Sequence, residues 1–266
     1  MSLLPSYAAA LSAFHRCAGA ALHEIVGALP IENGMRVLDA PCGDGTYLPW
    51  LRERVGKAGR VVGADLNTAY LEVAKEHAER HGADVELVRA RLEELPAPFD
   101  FVWCAHSLYS LPDPAEALAS LRRVLVPGGR LGIVENDSFH HWLLPWPIEL
   151  ELAVRRAQLD ALAATTPHWT KAYVGRNLAP LLREAGFEEI TVRTSSVDHR
   201  APLSDDEKLV LRDYLARLRK LTWERLDAPA RAAFEEFDRD FEVRDDFAAS
   251  HLEVIATARK PLTDGD

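Results

Sequence analysis

The polarity pattern between residues 35 and 135 repeats one arrangement. Short apolar runs, rich in β-branched residues, alternate there with amphipathic segments. The runs are MRVLDA, RVVGADL, DVELVRA, FDFVWCA and RLGIVE. Because strands that alternate with helices form a parallel sheet covered by helices, this pattern predicts a doubly wound α/β fold.

Capping signals mark two of the intervening helices. The segment LNTAYLEVAKEHAERHG begins at Asn67, a residue suited to a helix N-cap, and ends at Gly82, which accepts the left-handed conformation that terminates helices. A second helix is predicted to begin after Asp113, with Pro114 at its first position and Glu116 completing a capping box.

Beyond residue 135 the pattern becomes largely helical. The segments FEEITVRT and HLEVIATAR alternate apolar and polar residues and are predicted to be closing strands. Between them a helical insertion begins at a capping box of Ser204 and Glu207. We therefore expect one domain with an N-terminal helical cap (1–34), a core (35–135), helical lid regions (136–186 and 200–248) and closing strands (187–199 and 249–260).

Composition and charge restrict the partners. The 266 residues are 48% hydrophobic, which suffices for one full core, and the formal net charge is −10. Nucleic acid is held mainly by lysine and arginine, so this acidic chain is expected to act on a small molecule and to bind no nucleic acid. No run reaches the roughly 18 apolar residues of a membrane span, and the N-terminus lacks the basic start of a secretion signal. A cytoplasmic protein without a membrane segment is expected.

The spacing of the cysteines and histidines does not indicate a metal site. Cys17, Cys42 and Cys104 lack the paired spacing of a zinc site or a disulfide framework. His140 and His141 are adjacent, and the side chains of consecutive residues diverge in helices and in strands.

The loop VLDAPCGDG, which follows the first strand, is the main candidate for ligand binding. Ligands of an open parallel sheet bind at the carboxyl ends of its strands, so this loop and Asp65 after the second strand are expected to lie side by side. Asp65 follows Gly45 by 20 residues, a position from which an acidic side chain accepts hydrogen bonds from ribose hydroxyls.

The charge of this loop favours a cationic ligand over a dinucleotide. Leu48 occupies the position of the third glycine in a dinucleotide fingerprint, and a pyrophosphate would face Asp39 and Asp44. Like charges a few ångströms apart in a poorly solvated cleft repel by an amount on the order of kcal/mol. S-adenosylmethionine carries a sulfonium and an ammonium, which reverse the sign of this interaction.

Four segments together resemble the successive motifs of class I S-adenosylmethionine-dependent methyltransferases: VLDAPCGDG, VVGADLN, ARLEELPAPFDFVWCAHSLYSLPD and LRRVLVPGGRLGIVE. The resemblance covers about residues 35–135 and is greatest to small-molecule enzymes of quinone and natural-product pathways. It implies a Rossmann-like, mostly parallel sheet of seven strands with an antiparallel last strand, and S-adenosyl-L-methionine as cofactor. It also implies cofactor contacts at Tyr7, Asp39, Ala40, Pro41, Gly43, Gly45, Asp65, Leu66, Asn67, Ala90, Arg91, Leu92, Ala105 and His106.

Two positions depart from the family pattern. Pro41 stands where the family usually has its first glycine, which fixes φ and removes an amide donor. Arg91 stands where an acidic residue commonly contacts the adenine amino group, so that edge must be recognised by backbone atoms or by a neighbour such as Glu93.

Methyl transfer from a sulfonium requires alignment of the acceptor and, for some acceptors, removal of a proton. His106 follows the fourth strand and titrates in a useful range, so it is a candidate general base, with Tyr109 as a second candidate. The alternative for His106 is packing against the cofactor. An acceptor pocket, or an aromatic lid packed for stability, is predicted from His140, His141, Trp142 and Trp146.

The sequence therefore predicts methyl transfer from S-adenosylmethionine to an oxygen, nitrogen or carbon atom of a small aromatic or hydrophobic metabolite, by a monomer or homodimer. Two alternatives stay open: an NAD(P)-dependent oxidoreductase, and a non-catalytic regulatory protein that binds S-adenosylmethionine.

Overall fold

A computed structural model describes residues 3–95, 98–137, 142–165 and 173–263 of the protein. Within these ranges eight strands form one sheet in the order β3-β2-β1-β4-β5-β8, and both β7 and the short β6 pair with β8. The strands are β1 (Arg36–Asp39), β2 (Arg60–Asp65), β3 (Glu86–Arg89), β4 (Phe99–Ala105), β5 (Leu125–Glu135), β6 (Trp142–Leu143), β7 (Glu188–Arg200) and β8 (Ala248–Arg259).

The strand directions confirm the predicted sheet. Strands β1 to β5 pair in parallel, whereas β8 runs antiparallel to β5 on one side and to β7 on the other. The sheet therefore contains the seven expected strands, with the antiparallel last strand inserted between two others. The sequence did not predict β6, because two residues are too short to show an alternating pattern.

The described helices are α1 (Ala8–Cys17), α2 (Gly19–Gly27), α3 (Leu48–Val55), α4 (Thr68–Arg80), α5 (Pro114–Val124), α6 (Ile148–Thr165), α7 (Leu178–Glu184), α8 (Asp205–Thr222) and α9 (Ala228–Asp240). The predicted N-cap residues are present, but among the described residues the capping box expected at Glu116 is not: its backbone amide donates to Asp113, and its side chain does not bond back to the N-cap amide. Asn67 accepts a hydrogen bond from the Ala69 amide, and Asp113 accepts one from the Ala115 amide. Ser204 and Glu207 form the reciprocal bonds of a capping box at the start of α8.

Alternate residues of the central strands bury opposite faces of the sheet, as the doubly wound prediction requires. Leu38 and Val102 pack into a core on one face together with helices α5 and α7. Val37 and Phe101, one residue earlier in each strand, pack on the other face with α2 and α3. Because both faces are covered, the ligand site must lie at an edge of the sheet.

A third apolar cluster covers the carboxyl ends of the strands. Residues of α1, α6, α8 and α9 pack there around Trp142, Trp146 and several phenylalanines. These helices belong to the regions predicted as the N-terminal cap and the lid. In the described ranges, no helix combines the length and the apolar character needed to cross a bilayer.

Candidate functional site

A cavity of about 740 Å³ lies at the carboxyl ends of β1, β2 and β4, where the topology places a ligand. Its floor consists of the loop after β1, the end of β2, the residues that follow β4, and the side chains of His251 and Glu253 on β8. Helices α1 and α8 contribute the cover, through residues such as Phe14 and Tyr214. A volume of this size accommodates a nucleoside cofactor together with part of a small acceptor.

Asp39 is the most unusual charged group beneath this cavity. It ends β1, is fully buried, and neither carboxylate oxygen has a hydrogen-bond partner in the described part of the protein. Burial raises the pKa of Asp39 well above its usual value, and the carboxylates of Asp65 and Asp44 raise it further. A buried carboxylate without a partner is costly unless a donor or a cation reaches it. Asp39 does not line the cavity itself; it is the last residue of β1, directly before the loop that does.

Asp65 connects the loops after β1 and β2, which are predicted to bind a nucleoside. One of its oxygens accepts a hydrogen bond from the Gly43 amide at 3.0 Å, and the other accepts one from the Asn67 amide at 2.8 Å. Each carboxylate oxygen has a further acceptor site, so these bonds leave room for ribose hydroxyls. Asp65, Leu66 and Asn67 line the cavity.

Asp44 has a partner, in contrast to Asp39. Its carboxylate contacts Nδ1 of His15 at 3.0 Å and accepts the hydroxyl of Thr46 at 2.8 Å. Burial alone would raise the pKa of Asp44, but the bonds from His15 and Thr46 outweigh this effect and lower the pKa to about 2. The interaction docks α1 on the loop, so the charge of Asp44 is engaged within the protein.

The two glycines of the loop have different tasks. At Gly43, with φ +52°, an added Cβ would meet no heavy atom within 4 Å, and the residue lines the cavity. At Gly45, with φ +75°, an added Cβ would lie 2.7 Å from Cβ of Ala74 in α4. Gly43 therefore keeps the cavity open, whereas Gly45 permits close packing of a helix.

Leu48, at the position of the missing third glycine, packs closely on β2. An added Cβ at Gly63 of β2 would lie 3.1 Å from the Leu48 side chain. The glycine that allows helix and strand to approach is therefore located on the strand instead of the helix.

His106 lies directly after β4 with φ +47° and lines the cavity. Its Nε2 is 2.7 Å from Oε2 of Glu253, and its Nδ1 is 3.3 Å from the hydroxyl of Tyr47. Burial lowers the pKa of His106, but the charge and hydrogen bond of Glu253 outweigh burial, so the net pKa is raised. The structure thus pairs this histidine with a fully buried carboxylate.

The other predicted site residues fall into two groups. Those that line the cavity are Tyr7, Pro41, Ala105, Tyr109 and Trp142. Those that do not are Ala40, Gly45, Ala90, Arg91, Leu92 and Trp146; His140 and His141 lie outside the described residues. Arg91 is exposed at the start of a 3₁₀ turn, and Trp146 packs against Phe234 and Phe237.

Sequence reasoning missed several residues of the cavity. Tyr47, His251 and Glu253 all reach it. The signal for the last two was present in HLEVIATAR, where His251 and Glu253 share one face of a strand with the apolar Ile255. Polar residues on the buried face of a strand indicate a site, but their partners were not evident from the sequence.

In the described ranges, no group of three or more histidine, cysteine, aspartate or glutamate side chains has the arrangement of a metal site.

The chain is similar to known proteins in sequence and in fold. Residues 37–129 match the family model described as a methyltransferase domain. The chain is 33% identical over 254 residues to an uncharacterized 37.1 kDa protein in transposon Tn4556 of Streptomyces fradiae, covering 89% of this chain and 66% of that protein. It is 40% identical over 110 residues to the ubiquinone/menaquinone biosynthesis C-methyltransferase UbiE of Francisella philomiragia, covering 40% of this chain and 44% of the enzyme.

A crystal structure of a candidate methyltransferase from Bacillus halodurans superimposes with a TM-score of 0.56 at 22% identity, covering 91% of this chain and 98% of that one. The chain thus spans less than half of the UbiE relative and about two thirds of the transposon protein.

Proposed function

Because this chain belongs to the class I S-adenosylmethionine-dependent methyltransferases, through the domain at residues 37–129, we propose that it transfers a methyl group to a small-molecule acceptor bound in the cavity beside His106. The family identifies the cofactor as S-adenosylmethionine. When bound, its sulfonium offers the methyl carbon to an electron pair of the acceptor, the carbon–sulfur electrons remain on sulfur, and any acceptor proton must be removed.

The observation that carries the proposal is the buried carboxylate of Asp39 next to the open glycine loop, for which the described residues supply no hydrogen-bond partner. The residues suit the cofactor: Asp39 supplies negative charge below the loop, Gly43 leaves space for close approach, and Asp65 retains acceptor sites for a ribose. A cation above the loop would offset the cost of burying Asp39.

The same features count against the oxidoreductase alternative. A pyrophosphate over this loop would lie near the uncompensated charge of Asp39. Each basic residue that lines the cavity has an acidic neighbour: His15 contacts Asp44, His106 and His251 contact Glu253, and Arg217 pairs with Asp213 on α8. The described cavity therefore offers little positive charge to a diphosphate.

The aromatic residues of the cavity support an aromatic or hydrophobic acceptor. Tyr109, Trp142 and Tyr214 line it together with the polar Asn136 and Arg217. Flat aromatic walls suit a small ring-bearing molecule, which polar groups orient. We propose this class of acceptor without assigning the atom that is methylated.

We propose His106 as the group that receives the acceptor proton. Its Nε2 is held by Glu253, which fixes the ring and stabilises the charged form. Among the described residues Nδ1 meets the hydroxyl of Tyr47 at the longer distance of 3.3 Å, and we propose Nδ1 as the nitrogen that takes the proton. Tyr109, 43% exposed at the mouth of the cavity, is proposed to orient the acceptor.

Calorimetry with S-adenosylmethionine, S-adenosylhomocysteine and NADH tests the cofactor. We expect both sulfur compounds to bind and NADH not to bind; tight NADH binding alone would contradict the proposal. Release of S-adenosylhomocysteine during incubation with a panel of aromatic and isoprenoid metabolites then separates an enzyme from the regulatory alternative, which binds cofactor without turnover. Action as a monomer or homodimer in the cytoplasm stays a prediction.

A further inference from the structure

A row of buried histidines and glutamates leads away from His106. Its Nε2 is 2.7 Å from Oε2 of Glu253, whose Oε1 is 3.5 Å from Nε2 of His251. Nδ1 of His251 is 2.9 Å from Nε2 of His199, and Nδ1 of His199 is 2.9 Å from Oε1 of Glu207. These five side chains, which we call the buried row, connect the cavity to the first turn of α8.

Aromatic rings pack around the middle of the buried row. Glu253, His251 and His199 are each at most 1% exposed. The ring of Trp142 lies 5.1 Å from both histidine rings, centroid to centroid, and Phe14 lies 5.1 Å from the ring of His251. Ionisable groups in such surroundings are costly, so their alignment calls for a reason beyond packing.

The outer end of the buried row reaches the surface. The side chain of Glu207 is 18% exposed and also accepts the hydroxyl and the amide of Ser204, which is exposed. Burial raises the pKa of Glu207, but the bonds from Ser204 and His199 outweigh it and lower the pKa, which favours a carboxylate at this end. A carboxylate in contact with water exchanges protons with solvent.

The groups that face His106, the inner end of the buried row, favour its protonation. Glu253 from β8 and Glu135 from β5 both raise the pKa of His106, against the effect of burial, while Tyr47 meets its Nδ1. The central histidines face Glu253 on one side and Glu207 on the other. The buried row thus has a carboxylate on each side of its histidine pair.

The distances between neighbours in the buried row agree with the number of hydrogens on the two central histidine rings. Two neutral imidazoles carry two ring hydrogens, which suffice for the 2.9 Å bond between His251 and His199 and the 2.9 Å bond from His199 to Glu207. This assignment places no ring hydrogen between His251 and Glu253, whose contact is the long one, at 3.5 Å. A proton delivered by Glu253 would fill that gap after an approach of a few tenths of an ångström.

We propose that the buried row is a proton relay that carries the acceptor proton from His106 to Glu207 and solvent while ligands fill the cavity. This inference rests on the proposed function. The proton arrives at Nδ1 of His106, whose Nε2 proton passes to Glu253. The carboxyl group of Glu253 then rotates to turn its protonated oxygen from His106 to His251 and protonates Nε2 of His251. The Nδ1 proton of His251 passes to Nε2 of His199, and the Nδ1 proton of His199 passes to Glu207, which releases it to water.

The test measures how fast the His106 ring exchanges its proton with water, by NMR of histidine-labelled protein saturated with S-adenosylhomocysteine. The ligand covers the cavity, so that exchange depends on the row. Glu207→Gln removes the outlet carboxylate but retains a residue that completes a capping box. His199→Gln interrupts the middle. We expect each variant to slow His106 exchange at least tenfold, with unchanged affinity for S-adenosylhomocysteine.

His23→Gln is the matched control, because His23 is half exposed on α2, outside the row, and the chemical change is the same. Its exchange at His106 should equal that of the natural protein. Unchanged exchange in Glu207→Gln would overturn the relay and leave a structural network, even if His199→Gln does not fold. Failure of the natural protein to bind S-adenosylhomocysteine in calorimetry would instead overturn the proposed function, and the relay with it.

Discussion

Replacing Asp39 with asparagine should have opposite effects on the free protein and on its complex. The side chain is fully buried, and neither of its oxygens has a hydrogen-bond partner in the described ranges. Its charge therefore destabilises the fold until a cation is bound. Asp39→Asn removes the charge with little change of shape, so the free protein should become more stable while cofactor binding weakens.

The sign of the pH dependence follows from the raised pKa of Asp39. A carboxyl whose pKa is raised in the folded state contributes stability at low pH, and this contribution is lost as the pH rises above the ordinary value of 3.8. The stability gained by Asp39→Asn should thus be near zero below that value and should increase with pH. At neutral pH we expect a gain of about 1–3 kcal/mol, because an uncharged amide is cheaper to bury than a carboxylate.

The expected loss of cofactor affinity is about 2 kcal/mol, or roughly thirtyfold, at the lower end of the cost of truncating a buried charge pair. The loss should be similar for S-adenosylmethionine and S-adenosylhomocysteine, because both carry the ammonium group. A loss confined to S-adenosylmethionine would assign the interaction to the sulfonium.

Urea unfolding over a pH series and calorimetry with both ligands measure these two effects. Asp44→Asn provides the matched control in the same loop. The pKa of Asp44 is lowered to about 2, so its contribution is present above pH 3.8 and is lost as the pH falls. This variant should lose about 1–2 kcal/mol of stability at neutral pH. If Asp39→Asn were also destabilised and bound both ligands normally, the electrostatic argument for the cofactor would be wrong.

Four further predictions follow from the same geometry. Gly45→Ala should lower the free energy of unfolding in urea by about 1–3 kcal/mol, because its Cβ would collide with α4. Gly43→Ala should mainly weaken S-adenosylhomocysteine binding, at least tenfold by calorimetry. Equal effects of the two variants would contradict the different tasks of the two glycines. Asp65→Ala should weaken the same binding by roughly 1–3 kcal/mol through lost ribose hydrogen bonds, and an unchanged affinity would show that the nucleoside lies elsewhere. Ser204→Ala should lower the unfolding free energy by about 1 kcal/mol, with normal ligand affinity, because it removes a helix cap. Burial raises the pKa of Glu135 to about 7, so through this group the natural protein should lose about 3 kcal/mol of stability as the pH rises from 4.5 to 7. In Glu135→Gln the free energy of unfolding in urea should change less with pH over this range.

Much of the fold was predictable because it depends on interactions between close neighbours in the chain. The caps at Asn67, Asp113 and Ser204 bind amides two or three residues away. The central strands were evident as apolar runs, and the parallel sheet followed from their alternation with helices. The loop after β1 was recognisable as a ligand loop because its glycines and carboxylates are contiguous.

The chemistry of the candidate site depends on distant residues. Asp39 and Asp44 are equivalent by type in the sequence, and only the docking of α1 gives Asp44 a partner in His15 while Asp39 has none in the described part of the chain. The different tasks of Gly43 and Gly45 likewise depend on the position of α4.

The buried row depends most clearly on residues that are distant in the chain. His106 and Glu253 are 147 positions apart and meet because β8 enters the sheet antiparallel between β5 and β7. A shift of one residue in the register of β8 would turn Glu253 and His251 to the opposite face. Local pattern thus determined the elements, their caps and the ligand loop, whereas strand order and register decided which charges are paired, because these depend on contacts across the whole chain.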